Sequence, residues 1–158
     1  MTIKDSGERR EFSTGAVRDI TLDKGRCDLM PLDVVGDLLG DDISGVPVRC
    51  VFDFQETGDT EYLFIALENF AKVAYDNDIP TMLIEVSKHF SDGAKKYGEH
   101  NWQKGIPCKA YIDSSVRHYL KWLRGDNDEP HDRAFVWNVL CCIWTCKHKP
   151  EMMDGNAG

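Results

Sequence analysis

His131-Asp132-Arg133-Ala134-Phe135-Val136-Trp137-Asn138-Val139-Leu140-Cys141-Cys142-Ile143-Trp144-Thr145-Cys146 is the stretch that decides the fold. From Ala134 to Trp144 it is apolar on every side except at Asn138. It is too long for a typical strand, and Pro130 stands where a helix would start. A helix that is greasy all round has to be covered by other helices. The segments before it supply them. Lys109 to Arg124 reads as a helix stopped by Gly125, a residue that closes helices in the left-handed region. Pro80 opens another, running to about Tyr97, and Glu61 to Tyr75 forms one more behind the turn Gly58-Asp59-Thr60.

Further upstream the periodicity weakens. A short helix follows Pro31, through Leu32, Val35, Leu38 and Leu39. Val48 to Phe54 alternates β-branched and aromatic residues, which predicts one short strand. Residues 1–27 have little hydrophobic period and read as an extended arm or ordered loop. The polar tail Glu151–Gly158 is expected to fray. The reading is therefore an all-α (mainly α) domain, a bundle of about four principal helices. Its parts are an N-terminal arm (1–30), a helical domain (31–148) and a tail (149–158).

The bulk numbers set limits. A chain of 158 residues fits one domain. A net charge of -8 argues against a general nucleic-acid surface. The arm departs from this balance, with Lys4, Arg9, Arg10, Arg18, Lys24 and Arg26 among its first 26 residues. No apolar run approaches the ~20 residues of a membrane span, and the N-terminus has no signal-peptide core. The six cysteines form no CxxC pair, and three fall in the apolar helix, where Cys serves as a small hydrophobe. Cys142, Cys146 and His148 lack a fourth ligand for a soft-metal site. Reduced thiols and a cytoplasmic setting are the expectation.

Helical wheels divide the faces. On the helix from Pro80, Leu83, Val86, Phe90, Ala94 and Tyr97 form an apolar stripe, and Glu85, His89, Asp92 and Lys96 a polar one. On the next helix, Ile112, Val116, Tyr119, Leu120 and Leu123 face a core, with Ser114, His118 and Lys121 on another side and Arg117 beside them. Each polar group has a plain reading and a chemical one. Asn138 costs about 1–3 kcal/mol in the core unless satisfied, by a loop or by a ligand. Asp128 suits a helix N-terminus through the dipole, whereas His131 does not. Together they could ligate Mg²⁺, or with the imidazole Mn²⁺. Glu85 and Asp92 are a solvated face or a carboxylate site for a divalent ion. Arg117 either pairs with Asp113 one turn away or, with His118 and Lys121, makes an edge for phosphate oxygens. Lys96 is a surface lysine or a phosphate contact. Asn101 and Trp102 either pack or read and stack on a base. Lys24-Gly25-Arg26 could touch phosphates, although no P-loop is present. His131 and Asn138 share one face, His118 lies on the preceding antiparallel helix, and Asp128, His131, Asn138, Arg117 and His118 are expected to converge at one pole of the bundle.

The residues also resemble a known family. Ser13-Thr14-Gly15-Ala16-Val17-Arg18-Asp19, Lys24-Gly25-Arg26, Asp28-Leu29 and Pro31 are similar to the N-terminal signature of phage-associated dATP/dGTP diphosphohydrolases. Gly93-Ala94-Lys95-Lys96-Tyr97-Gly98, Asn101-Trp102 and Lys104-Gly105-Ile106-Pro107 resemble a second block. Tyr111, Asp113-Ser114, Arg117-His118, Gly125, Asp128-Glu129, His131 and Trp137-Asn138 resemble a third. The resemblance implies a MazG- or MazZ-like all-α enzyme, dependent on Mg²⁺ or Mn²⁺, that cleaves a purine dNTP (dGTP or dATP) to dNMP and pyrophosphate. It further implies a phage or prophage origin, a bacterial cytosol and a homo-oligomer, with neither nucleic acid nor membrane as partner. On that basis Asp128, His131, Asp92 and Glu85 would hold metal. Asp128, His131, His118 and Asn138 would serve catalysis. Lys24, Arg26, Lys96, Asn101, Trp102 and Arg117 would bind substrate. The ExxE and ExxD motifs of MazG enzymes are not present in clean form, and Ser91 stands where many relatives have Glu. A non-catalytic nucleotide-binding protein and a His/Asp-type metal-dependent dNTP hydrolase are the alternatives.

Overall fold

The computed structural model describes residues 8–19, 23–42 and 44–154. Expectations for residues 1–7, 20–22 and 155–158, Lys4 included, fall outside them. The chain is mainly α. Among the described residues it forms α1 (Leu32–Leu39), α2 (Val46–Thr57), α3 (Glu61–Ala74), α4 (Ile79–Tyr97), α5 (Cys108–Arg124) and α6 (His131–His148). No helix is long and apolar enough to cross a membrane among those residues.

The central helix is α6. Its buried residues run from His131 to Cys146 and occur on every side, as its composition requires. α5 packs antiparallel along it, since His118 touches His131 at one end and Cys108 touches Cys146 at the other. Gly125 turns the chain between them in the left-handed region (φ 86°), where a side chain would be strained. α4 covers a second side of α6, and α3 reaches it through Phe70. That ring lies 4.7 Å from Phe135 and 4.9 Å from Trp122, tilted and edge-on, and is fully buried. Such pairs add to the area they bury.

Residues 46–57 correct the sequence reading, because the expected strand Val48–Phe54 is the helix α2. Its buried residues Val48, Val51 and Phe54 recur every third position, the spacing of a helix face packed on α1 and α3. Pro47 sits in the first turn. Tertiary packing overrides β-branched propensity here. α1 approaches α2 closely at Gly36 and Gly45, where a Cβ would overlap Arg49 and the Gly40 carbonyl respectively.

Two further departures concern the ends. The arm contains a hairpin, with β1 (Arg9–Glu11) antiparallel to β2 (Val17–Asp19) and Arg10 opposite Arg18. Phe12 and Ala16 at its turn are buried in the main core. Beyond α6, Pro150–Asp154 form a 3-10 turn that buries Met152 instead of fraying. On α4 the inward face is Met82, Val86 and His89, whereas Leu83 is 44% exposed. The apolar stripe drawn through Leu83 is thus rotated from the real one.

Candidate active site

A cleft of about 450 Å³ opens between the arm, α4, α5 and α6. The volume lies in the range of small-molecule sites. Its walls carry Arg18, Lys24, Lys96, Arg117 and Lys121 against two carboxylates, Asp19 and Glu129. A local cationic excess therefore exists within a chain of net charge -8.

The arm is one wall, and side chains from the helices hold it there. The Asn101 amide donates to the Val17 carbonyl and accepts from the Val17 N–H, both at 2.8 Å. It reads β2 as a neighbouring strand would. The Thr14 hydroxyl donates to the Gly105 carbonyl. Further along, the Cys27 N–H donates to Asp113 at 2.6 Å, and Arg117 donates to the Gly25 carbonyl at 2.8 Å. Strand alternation sends Arg18 and Asp19, the two residues after Val17, in opposite directions. Arg18 donates to Asn138 Oδ1 at 3.2 Å and Ser114 Oγ at 3.1 Å, and lies over the rings of Tyr111 and Trp137. Asp19 accepts from Lys96 Nζ at 2.6 Å and the Tyr97 hydroxyl at 2.9 Å, and pairs with Arg9. Burial, with the Asp19 charge, pushes the Tyr97 hydroxyl well up.

At the far end of the cleft α5 and α6 bring two histidines together. Their Nδ1 atoms are 2.9 Å apart, so one ring donates and the other accepts. His131 has no exposed side-chain surface, and its Nε2 lies 2.7 Å from Asp128 Oδ1. Glu129 Oε1 is 3.9 Å from His118 Nδ1. Burial, then the adjacent His131, holds His118 well below the usual histidine range, so it is neutral at pH 7. His118, Glu129 and His131 can each direct one ligand atom at a common point, as can Asp126, Asp128 and His131.

The sequence candidates separate on this map. His118, Arg117, Lys24, Lys96, Asn101 and Asn138 line the cleft, and His131 and Asp128 adjoin it through His118 and each other. The other candidates do not line it. Glu85 pairs with Lys88 at 3.0 Å on the outside of α4, and Asp92 lies away from the lining. Arg26 is turned outward onto Asp28 at 2.7 Å. Trp102 packs between Phe90 and Trp144, at 5.7 and 4.9 Å. Asn138 contacts Arg18 and the Ala134 carbonyl. Arg18, Asp19, His89, Glu129 and Trp137 also line the cleft without being sequence candidates, and Lys121 joins them from the basic edge it forms with Arg117 and His118. Arg18 and Asp19 stood inside the quoted arm signature, and that position was the available signal.

His89 carries a testable consequence. Its Nδ1 is buried without a partner, and burial lowers the ring to about 3. The folded protein keeps His89 neutral while the unfolded chain takes up a proton near pH 6.5. Stability therefore rises with pH between about 3 and 6.5 and is lost as pH falls through that window. His89→Gln is expected to flatten the slope by about 1.4 kcal/mol per pH unit at most, the value of one proton. Urea midpoints of both proteins across that range test it, and parallel slopes would contradict the assignment.

Fold and cleft together define a mainly α-helical protein with a basic cavity suited to a polyanion. The family model described as dATP/dGTP diphosphohydrolase, N-terminal, matches residues 67–155. That is more than half of the chain, and the chain belongs to this family. The match spans α4, α5 and α6, and the arm lies outside it. No curated protein and no solved structure matches the chain.

Proposed function

We propose that the protein hydrolyses a purine deoxynucleoside triphosphate to the monophosphate and pyrophosphate, with a divalent cation at the histidine pole. The observation that carries this is the meeting of five cationic side chains in one cleft with a histidine pair that adjoins its end and is flanked by carboxylates. Family membership supplies the substrate class.

The donor set fits a cation. The two Nδ1 atoms, 2.9 Å apart, would both face one cation once the proton they share is released. Glu129 supplies a carboxylate beside them. Asp128 on His131 Nε2 then acts behind the ligand, fixing the ring. Two imidazoles with one carboxylate suit Mn²⁺ better than Mg²⁺. When bound, the ion would neutralise phosphate oxygens and acidify water.

The residues of the chain account for the rest. Water oxygen bonds to the α-phosphorus as the bridging oxygen to the β-phosphorus departs with its electron pair on pyrophosphate. Glu129 is placed to accept the proton of the water. Lys24, Lys121 and Arg117 face the leaving phosphates. Neither the Lys24 nor the Lys121 side chain makes a hydrogen bond or ion pair among the described residues. Burial, and then the Arg117 charge, lowers the Lys24 ammonium, so an anion there relieves both.

Product analysis of each dNTP with Mg²⁺ and with Mn²⁺ tests the proposal. Monophosphate and pyrophosphate from dGTP or dATP are expected. Tripolyphosphate would instead indicate a His/Asp-type hydrolase, a reading the His118–His131–Asp128 contacts keep in view. Nucleotide binding with no turnover would make the cleft a binding site alone. Lys24→Ala is expected to weaken nucleotide binding roughly tenfold, about 1.4 kcal/mol. Arg26→Ala should leave affinity unchanged, because its fork is held by Asp28. Calorimetric titration of both variants decides this, and equal losses would overturn the assignment.

A further inference from the structure

At the other end of the α5–α6 pair lies a second cluster. Cys108 opens α5, and Cys142 and Cys146 stand one turn apart on α6. Their sulfurs lie within 4.8 Å of one another, with Cys108 and Cys146 at 3.4 Å. All three are buried and none forms a disulfide. His148, the partner suggested by sequence spacing, stacks instead on Trp144 at 4.5 Å. Cys108, from the preceding helix, completes the group.

We propose that these three thiols form a binding site for one thiophilic closed-shell cation, of the Zn²⁺ or Cu⁺ kind. Cysteines that merely fill a core have no need to aim three sulfurs at one point. Ligand sulfurs about 2.3 Å from a metal lie about 3.8 Å apart in a tetrahedral site, a spacing the observed group meets with small adjustments. Soft thiolates select such ions over Mg²⁺ or Mn²⁺. Cys108 occupies the first position of α5. Among the described residues no His, Asp or Glu joins the three, which leaves a trigonal site or one with an open fourth position. Ten residues at 1.5 Å each separate Cys108 from His118, about 15 Å along α5. The site is distinct from the cleft and would tie the start of α5 to the last turns of α6.

The full chain, reduced and stripped with a chelator, should bind one equivalent of Cd²⁺ through the thiols, beyond any ion held at the histidine pole. With Cd²⁺ a thiolate-to-metal charge-transfer band should appear in the ultraviolet. Cys142→Ser/Cys146→Ser should abolish that band, whereas Cys50→Ser, which alters a buried thiol elsewhere, and His131→Ala should keep it. Titration of the unaltered chain against that ultraviolet band counts thiolate-bound Cd²⁺ without any variant, should the double change prevent folding. Absence of a bound ion in the folded, reduced chain would overturn the proposal. So would a band that survives the double change or vanishes in His131→Ala.

Discussion

His131→Ala is expected to lower turnover by about 10²- to 10⁴-fold, the span typical of losing a positioned acid–base group. The residue joins three parts of the pole. Its Nδ1 faces His118, its Nε2 contacts Asp128, and its side chain is wholly buried. Truncation removes the second imidazole from the donor set and releases both neighbours. His131→Gln can restore one hydrogen bond but cannot present a nitrogen on each side of a rigid ring. It should fold normally and remain nearly inactive. Steady-state kinetics at saturating metal, with circular dichroism as a folding control, provide the measurement. Full activity in His131→Ala would remove the pole from the mechanism.

Asp113→Ala should cost about 3–5 kcal/mol of stability, the usual penalty for leaving a buried charge alone. Both Asp113 oxygens accept from Arg117 Nη2 at 2.6 Å, and Oδ1 also accepts the Cys27 N–H at 2.6 Å. Both side chains are at most 10% exposed. The loss would be a large part of the about 5–15 kcal/mol that holds a domain together. Asp113→Ala/Arg117→Met should recover much of it, because no charge is then stranded. Urea denaturation of the two singles and the double makes the cycle. An Asp113→Ala midpoint within error of the parent would show that the pair does not support the fold. The same substitution also loosens residues 25–27, so nucleotide affinity should fall with stability.

The helices were legible because their signals are local. Gly125, Pro130 and the apolar run from Ala134 fix the α5–α6 hairpin with no long-range information. α2 was not legible, because Val48 to Phe54 fits a strand and a helix equally until α1 and α3 are packed against it. The meeting of His118 and His131 follows from a short connection and two helix phases, so it could be anticipated. The roles of Asn101 and Asn138 could not, because each is spent on the arm, on Val17 and Arg18. Nothing in an amide reveals which distant backbone it will meet. Arg26 and Lys24 look equivalent in sequence, and only the turn at Gly25 (φ 80°) separates the one facing the cleft from the one facing Asp28.

The docking of β2 through Asn101 has an evolutionary consequence. The matched segment 67–155 holds the histidine pole, whereas Arg18, Asp19 and Lys24 reach the cleft from a different stretch of chain. The two stretches are joined by two hydrogen bonds between Asn101 and Val17, a few side-chain grips and the burial of Phe12 and Ala16 in the main core. Recombination that replaces the first thirty residues would retune ligand choice while the reacting pole stays untouched. Chimeras exchanging arms between relatives should therefore inherit preference from one parent and turnover chemistry from the other.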